Sequence, residues 1–173
     1  MNVHLSWNFR KMLLIGLTAT TFTGCAVIGL GGEPDTRWAG YQSWNKLNVK
    51  PVTGDHTGFL GNLHEGASGV REVYVNDIGW AVANGEAPYS YPVGTVIAKE
   101  QYKNETDLNA GKKPGLTVMV KTSDDAENPV DNWVWSRGYN ATAESDTFCS
   151  SCHTIAMGSD FVFSNAQSLK SFR

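Results

Sequence analysis

Apolar and polar positions alternate along the middle of the chain with the two-residue period of β-strands. In Val70–Asn76, the residues Val70, Glu72 and Tyr74 fall on one side, and Arg71, Val73 and Val75 on the other, the pattern of a half-buried strand. Thr95–Tyr102 sets Thr95, Ile97 and Lys99 on a common side, which Ile97 marks as buried. Gly115–Thr122 opposes Leu116, Val118 and Val120 to Thr117, Met119 and Lys121, and Asn132–Arg137 carries Trp133 and Trp135 on one face. Helical signals are short: Trp38–Leu47, a turn over Asp77–Ala83, and a turn over Phe148–Met157. Pro92-Val93-Gly94 predicts a turn, and Val49–Ser68, dense in Gly, Pro, Asp and His, predicts irregular chain. The expected fold is mainly β (α+β), an antiparallel sheet with a few short helices.

The N-terminus reads differently. Arg10 and Lys11 precede an uncharged apolar stretch, Met12–Gly24, that ends at Cys25. This order is that of a signal peptide. Phe22-Thr23-Gly24-Cys25 resembles the lipobox of bacterial lipoproteins, with Phe22 where Leu is usual, so Cys25 is the expected lipidation site. An uncleaved membrane anchor is the alternative, since uncharged sequence continues to Gly32. The many Gly and Thr residues make a poor spanning helix and favour lipidation. The expected organisation is a signal peptide over 1–24, a Gly-rich tether over 25–36 and one domain over 37–173, exported to the bacterial periplasm and held at the membrane.

Of the 14 Lys and Arg residues, only Arg10 and Lys11 lie in the export segment, which leaves 12 against 17 acidic residues, a balance of −5. An acidic domain excludes nucleic acid as a natural partner, since phosphate backbones demand a basic surface.

Cys149-Ser150-Ser151-Cys152-His153 is a C-x-x-C-H run, the attachment signature of a c-type haem. Two thiols three residues apart project from one helical turn toward the two vinyl groups of a single porphyrin, and the following imidazole supplies the iron ligand. A thioredoxin-like dithiol and half of a zinc site compete with this reading. Only His4, His56 and His64 remain as further histidines, and no second C-x-x-C exists. A single covalent haem c with its iron on His153 accounts for two of the 3 cysteines, and Cys25 for the third.

The late position of the motif and the β-rich middle of the chain are unlike small mitochondrial-type cytochromes c, whose motif comes early and whose axial Met lies far downstream. Met157, four residues after His153, cannot easily reach the opposite face of the iron. Four-helix cytochromes c-prime need long amphipathic helices, and residues 90–137 show none. The chain resembles instead the family of cytochrome P-460 and the beta-sheet cytochromes c-prime, over roughly residues 68–165. The resemblance rests on Val70-Arg71-Glu72-Val73-Tyr74-Val75-Asn76, Gly94-Thr95-Val96-Ile97-Ala98-Lys99-Glu100, Asn132-Trp133, and C-x-x-C-H followed by Ser159-Asp160-Phe161-Val162-Phe163-Ser164.

That resemblance implies a homodimer with a five-coordinate haem open to small nitrogen compounds. Cytochrome P-460 oxidises hydroxylamine and hands electrons to another cytochrome; the beta-type cytochromes c-prime bind nitric oxide. It implies that Lys99 bonds covalently to the porphyrin rim, and that Arg71 faces the haem pocket. Thr117 falls where hydroxylamine-oxidising members carry a glutamate, and a threonine hydroxyl is a poor base at neutral pH. On the residues alone, Lys99 also reads as a surface lysine beside Glu100, and Arg71 as a strand-face salt bridge. Phe59, Leu60 and Met119 read as an apolar distal cap or as plain core. His56 and His64 read as sixth iron ligands of a simple electron carrier or as exposed loop histidines.

Overall fold

The alternating runs become the strands of one sheet. The computed structural model describes residues 35–54 and 69–173. The strands β1 (Asn45–Lys46), β2 (Val52–Thr53), β3 (Val70–Val75), β4 (Val96–Tyr102), β5 (Gly115–Lys121) and β6 (Trp133–Ser136) are all paired antiparallel. Their order is β1-β3-β4-β5-β6, with β2 also paired to β3. Three short helices join them among the described residues: α1 (Asp77–Ala83), α2 (Glu105–Asn109) and α3 (Thr147–His153). The fold is the expected mainly β arrangement. No helix among the described residues is long and apolar enough to cross a membrane. The export segment, Cys25 and most of the tether lie outside the described residues, as do His56, Phe59, Leu60 and His64.

Two cross-strand rows matter for the site. Val73, Lys99 and Thr117 stand side by side on β3, β4 and β5, and Val75, Ile97, Met119 and Trp135 form the next row. Both rows face the same side, because side chains two apart share a face. That inner face packs Val73, Val75, Ile97, Met119, Trp133 and Trp135 against Tyr91, Phe161, Val162 and Leu169. The outer face is buried too, with Val96, Ala98, Leu116, Val118 and Val120 under Trp38 and Tyr41. The alternation of polar and apolar residues therefore does not separate water from core. It separates two cores.

Glu100 shows what this demands of a polar residue. It is 1% exposed on the outer face and accepts hydrogen bonds from Tyr41 Oη at 2.7 Å, Tyr102 Oη at 2.8 Å and Gln42 Nε2 at 3.0 Å. A buried carboxylate so satisfied fixes the rotation of β4 and sends its neighbour Lys99 to the inner face. The surface pair Lys99–Glu100 is thereby corrected: the two side chains lie on opposite faces of the sheet.

Local expectations fail where pairing overrides pattern. Trp38–Leu47 is not a helix: a 3-10 turn at Tyr41–Ser43 leads into β1, because Leu47 N donates to Val73 O at 2.8 Å and the edge of β3 captures the segment. The predicted turn at 148–157 begins as α3 at Thr147 and continues as 3-10 turns over Thr154–Ser159. Helix α2 is too short for its periodicity to be read, and its start is marked only by the Asn104 cap, which accepts from Asp107 N at 2.9 Å.

Asn76 ties α1 to the sheet, accepting from Gly79 N at 3.2 Å and from Val96 N at 3.1 Å. The helix then runs so close to β4 that a Cβ on Gly79 would stand 2.4 Å from Thr95 Cγ2. Gly79→Ala should therefore destabilise the protein by about 1–3 kcal/mol, because overpacking outweighs the ~1 kcal/mol helix advantage of alanine. Chemical denaturation would measure this, and a more stable variant would contradict the close packing.

Candidate functional site

The inner face of β3, β4 and β5 and the segment after α3 enclose a cavity of about 790 Å³ including its open mouth. Arg71, Lys99, Thr117 and Met119 line it from the sheet; Cys149, His153, Val162 and Phe163 line it from the C-terminal segment. Six residues singled out in the sequence, Arg71, Lys99, Thr117, Met119, Cys149 and His153, thus share one space. Cys152 stands one helical turn beyond Cys149 on α3, half-buried, and is not part of the cavity wall.

His153 is held in one tautomer by geometry. Its Nδ1 lies 2.6 Å from Phe161 O, and a carbonyl can only accept, so Nδ1 carries the proton and Nε2 keeps its lone pair. The ring sits between Trp135 and Phe163, with centroids 5.7 and 5.1 Å away. Burial pushes its pKa down to about 4, with Lys99 lowering it further and the Phe161 carbonyl opposing. A neutral, oriented imidazole with a free Nε2 is a metal ligand in waiting.

Helix α3 begins at Asp146, whose carboxylate accepts from Cys149 N at 3.0 Å and pairs with Arg137 at 2.5 Å. The backbone bond from Cys149, followed by the Arg137 interactions, holds the Asp146 carboxyl below its ordinary range. Burial and the neighbouring Asp146 push the Cys149 thiol up, against the pull of Arg137. A redox dithiol needs the opposite, a thiol held low. Nor do three or more His, Cys, Asp or Glu residues converge on a metal-sized site among the described residues, as a zinc centre would require.

Lys99 is half-buried, and its open part is cavity wall. Burial lowers its pKa to about 7, with the Arg71 charge adding to the shift and Cys149 opposing it. Arg71 is 3% exposed and donates from Nη1 to Gly54 O at 2.5 Å. Thr117 Oγ1 accepts from Gln101 Nε2 at 3.2 Å. No carboxylate lines the cavity among the described residues.

One observation tests whether this space suits a porphyrin. Trp135 is 6% exposed, yet its indole Nε1 is buried without a partner in a residue that lines the cavity. A buried donor without an acceptor costs about 1–3 kcal/mol. A ligand with an apolar body and carboxylate arms would supply the acceptor. The apolar walls, the orphan donor and the Cys149 and His153 side chains on the wall agree with such a group.

A mainly β domain with an apolar cavity and an oriented, neutral histidine fits a haem-binding protein. The chain belongs to the cytochrome P460 family, whose model matches residues 38–164. It is a cytochrome, with haem and iron as its cofactor. A comparison with curated proteins finds no match.

Sequence reasoning missed Val52, Val162 and Phe163 as cavity walls, and it gave Asp160 no role. The Ser159–Ser164 run of the family resemblance was the usable signal; in the structure Asp160 and Phe161 there have positive φ, 51° and 64°.

The buried amine has a pH signature. Below pH 7 Lys99 is protonated folded and unfolded; above its ordinary value of 10.5 it is neutral in both. Between the two the unfolded chain binds the extra proton, so stability rises with pH across that window. His153 acts with the same sign between about 4 and 6.5. In the haem-free chain, Lys99→Met should raise stability at pH 7, by up to a few kcal/mol, and flatten the rise between pH 7 and 10. Thermal melts across pH would show this, and an unchanged slope would contradict a buried Lys99.

Proposed function

We propose that the protein is an exported mono-haem c-type cytochrome that acts on small nitrogen compounds, with hydroxylamine oxidation as its reaction. Cys149 and Cys152 hold the porphyrin by thioether bonds, and His153 holds the iron through Nε2. Bound there, haem supplies an open coordination position for the nitrogen ligand and an acceptor for its electrons, which pass to another cytochrome. The observation that carries this reading is Lys99, which lines the same cavity as His153 and whose pKa of about 7 leaves much of the amine unprotonated at neutral pH. Were haem held by Cys149, Cys152 and His153, the unprotonated Lys99 amine would be able to act as a nucleophile toward an oxidised macrocycle, as the family resemblance implies. Arg71 brings a buried guanidinium to the cavity, a donor for a nitrogenous ligand or for a porphyrin carboxylate. Lipidation at Cys25 in the periplasm and homodimer formation complete the proposal.

A second reading has its own support. The described cavity walls carry no carboxylate, and the family resemblance places Thr117 where the hydroxylamine oxidisers carry a glutamate. Loss of protons from hydroxylamine then lacks its base, whereas nitric oxide needs none. Capture of nitric oxide without turnover is the alternative; plain electron transfer requires a sixth iron ligand, for which His56 and His64 are the candidates.

The reduced protein should show a strongly red-shifted, broadened Soret band that returns to an ordinary c-type position in Lys99→Met. An ordinary band in the native protein contradicts the lysine bond. With hydroxylamine and an artificial oxidant, the native protein should turn over, and Thr117→Glu should raise kcat by about 10²-fold, the usual contribution of a placed base. No turnover in either protein, with nitric oxide still bound, establishes the second reading.

A further inference from the structure

The chain after α3 reverses through two consecutive left-handed residues that are not glycine, Asp160 (φ 51°) and Phe161 (φ 64°). Such residues persist only where the surroundings hold them in place. Backbone bonds from Asp160 N to Met157 O at 3.1 Å and from Phe161 N to Ala156 O at 2.9 Å close the turn, and the Asp160 carboxylate anchors it to the core. Its Oδ2 accepts from Tyr91 N at 2.7 Å and from Lys121 Nζ at 2.8 Å, and Trp133 Nε1 approaches Oδ1 at 3.4 Å. The Lys121 side chain is 2% exposed, so this ion pair is shielded by the inner core. Phe161, the next residue, carries the carbonyl that stands 2.6 Å from His153 Nδ1.

We propose that Asp160 is the positioning residue of the axial histidine, acting through the Phe161 carbonyl. The inference rests on His153 binding the haem iron. The clamp fixes the two left-handed residues, they aim the carbonyl, and the carbonyl sets both the ring's orientation and the electron density that Nε2 donates. A strong Nδ1–H···O=C bond gives the imidazole anionic character and favours ferric over ferrous iron. Lys121, at the end of β5, makes the sheet part of this control. Asp124, 75% exposed, also reaches Lys121, at 3.2 Å, and is a weaker partner because water screens it.

The test uses the haem-loaded protein and reads the iron–histidine bond directly. In Asp160→Asn and Lys121→Met the iron–histidine stretch of the ferrous protein should fall, and the reduction equilibrium should shift toward ferrous iron by up to about tenfold, 59 mV for one electron. Lys121→Arg, which keeps the ion pair, should restore both toward native values. Should Asp160→Asn not fold, the two Lys121 variants decide alone. A Lys121→Met protein that is merely less stable, with native stretch and potential, overturns the positioning role. A native protein that takes up no haem overturns the function proposed above, and this inference with it.

Discussion

One hydrogen bond organises the site: His153 Nδ1–H to the carbonyl of Phe161, at 2.6 Å. It spends the ring's single neutral donor on the backbone and leaves Nε2 with nothing to do but accept a proton or a metal. Burial disfavours the proton, pushing the pKa down to about 4, and so keeps the imidazole neutral, the form that a metal ion binds. Everything that bears on the bond is built to hold it. Asp146 caps the helix that delivers the ring, Trp135 and Phe163 flank it, and the Asp160–Lys121 pair fixes the chain that carries the carbonyl.

The sheet makes this possible by being buried on both faces. A sheet with one wet face could leave Lys99 or Glu100 in water and lose nothing. Here neither has that option. Glu100 is satisfied by two tyrosines and a glutamine on the outer side, and Lys99, its immediate neighbour, has to face the cavity. The amine's lowered pKa follows from that placement, with the Arg71 charge contributing after burial. Reactivity at the inner face is therefore anchored by polar packing at the outer one.

Much of the fold was legible because strand periodicity survives even when both faces are buried. The alternation at Val70–Val75 and Gly115–Lys121 placed Arg71, Thr117 and Met119 on the correct side. The family resemblance put Arg71 and Lys99 at a haem, and the cavity brings both together with His153. What the pattern could not show was non-local. Trp38–Leu47 has helical spacing but is drawn into an edge strand by backbone pairing with β3. Glu100 looks like a surface partner for Lys99 until its tyrosines, distant in sequence, are known. Asp160 sits in a motif, but its purpose depends on Lys121 and Tyr91, 39 and 69 residues away. The C-x-x-C-H run lies within five residues, and the structure brings two of its members, Cys149 and His153, to the cavity.

The central claim is that Cys149, Cys152 and His153 seat a covalent haem in this cavity. The most direct measurement is the mass of the denatured mature protein after expression with a working haem-attachment system, followed by mapping of the peptide that contains Cys149 and Cys152. The account predicts one haem retained through denaturation on that peptide, with both thiols blocked to alkylation. A colourless protein whose two thiols alkylate freely would contradict it.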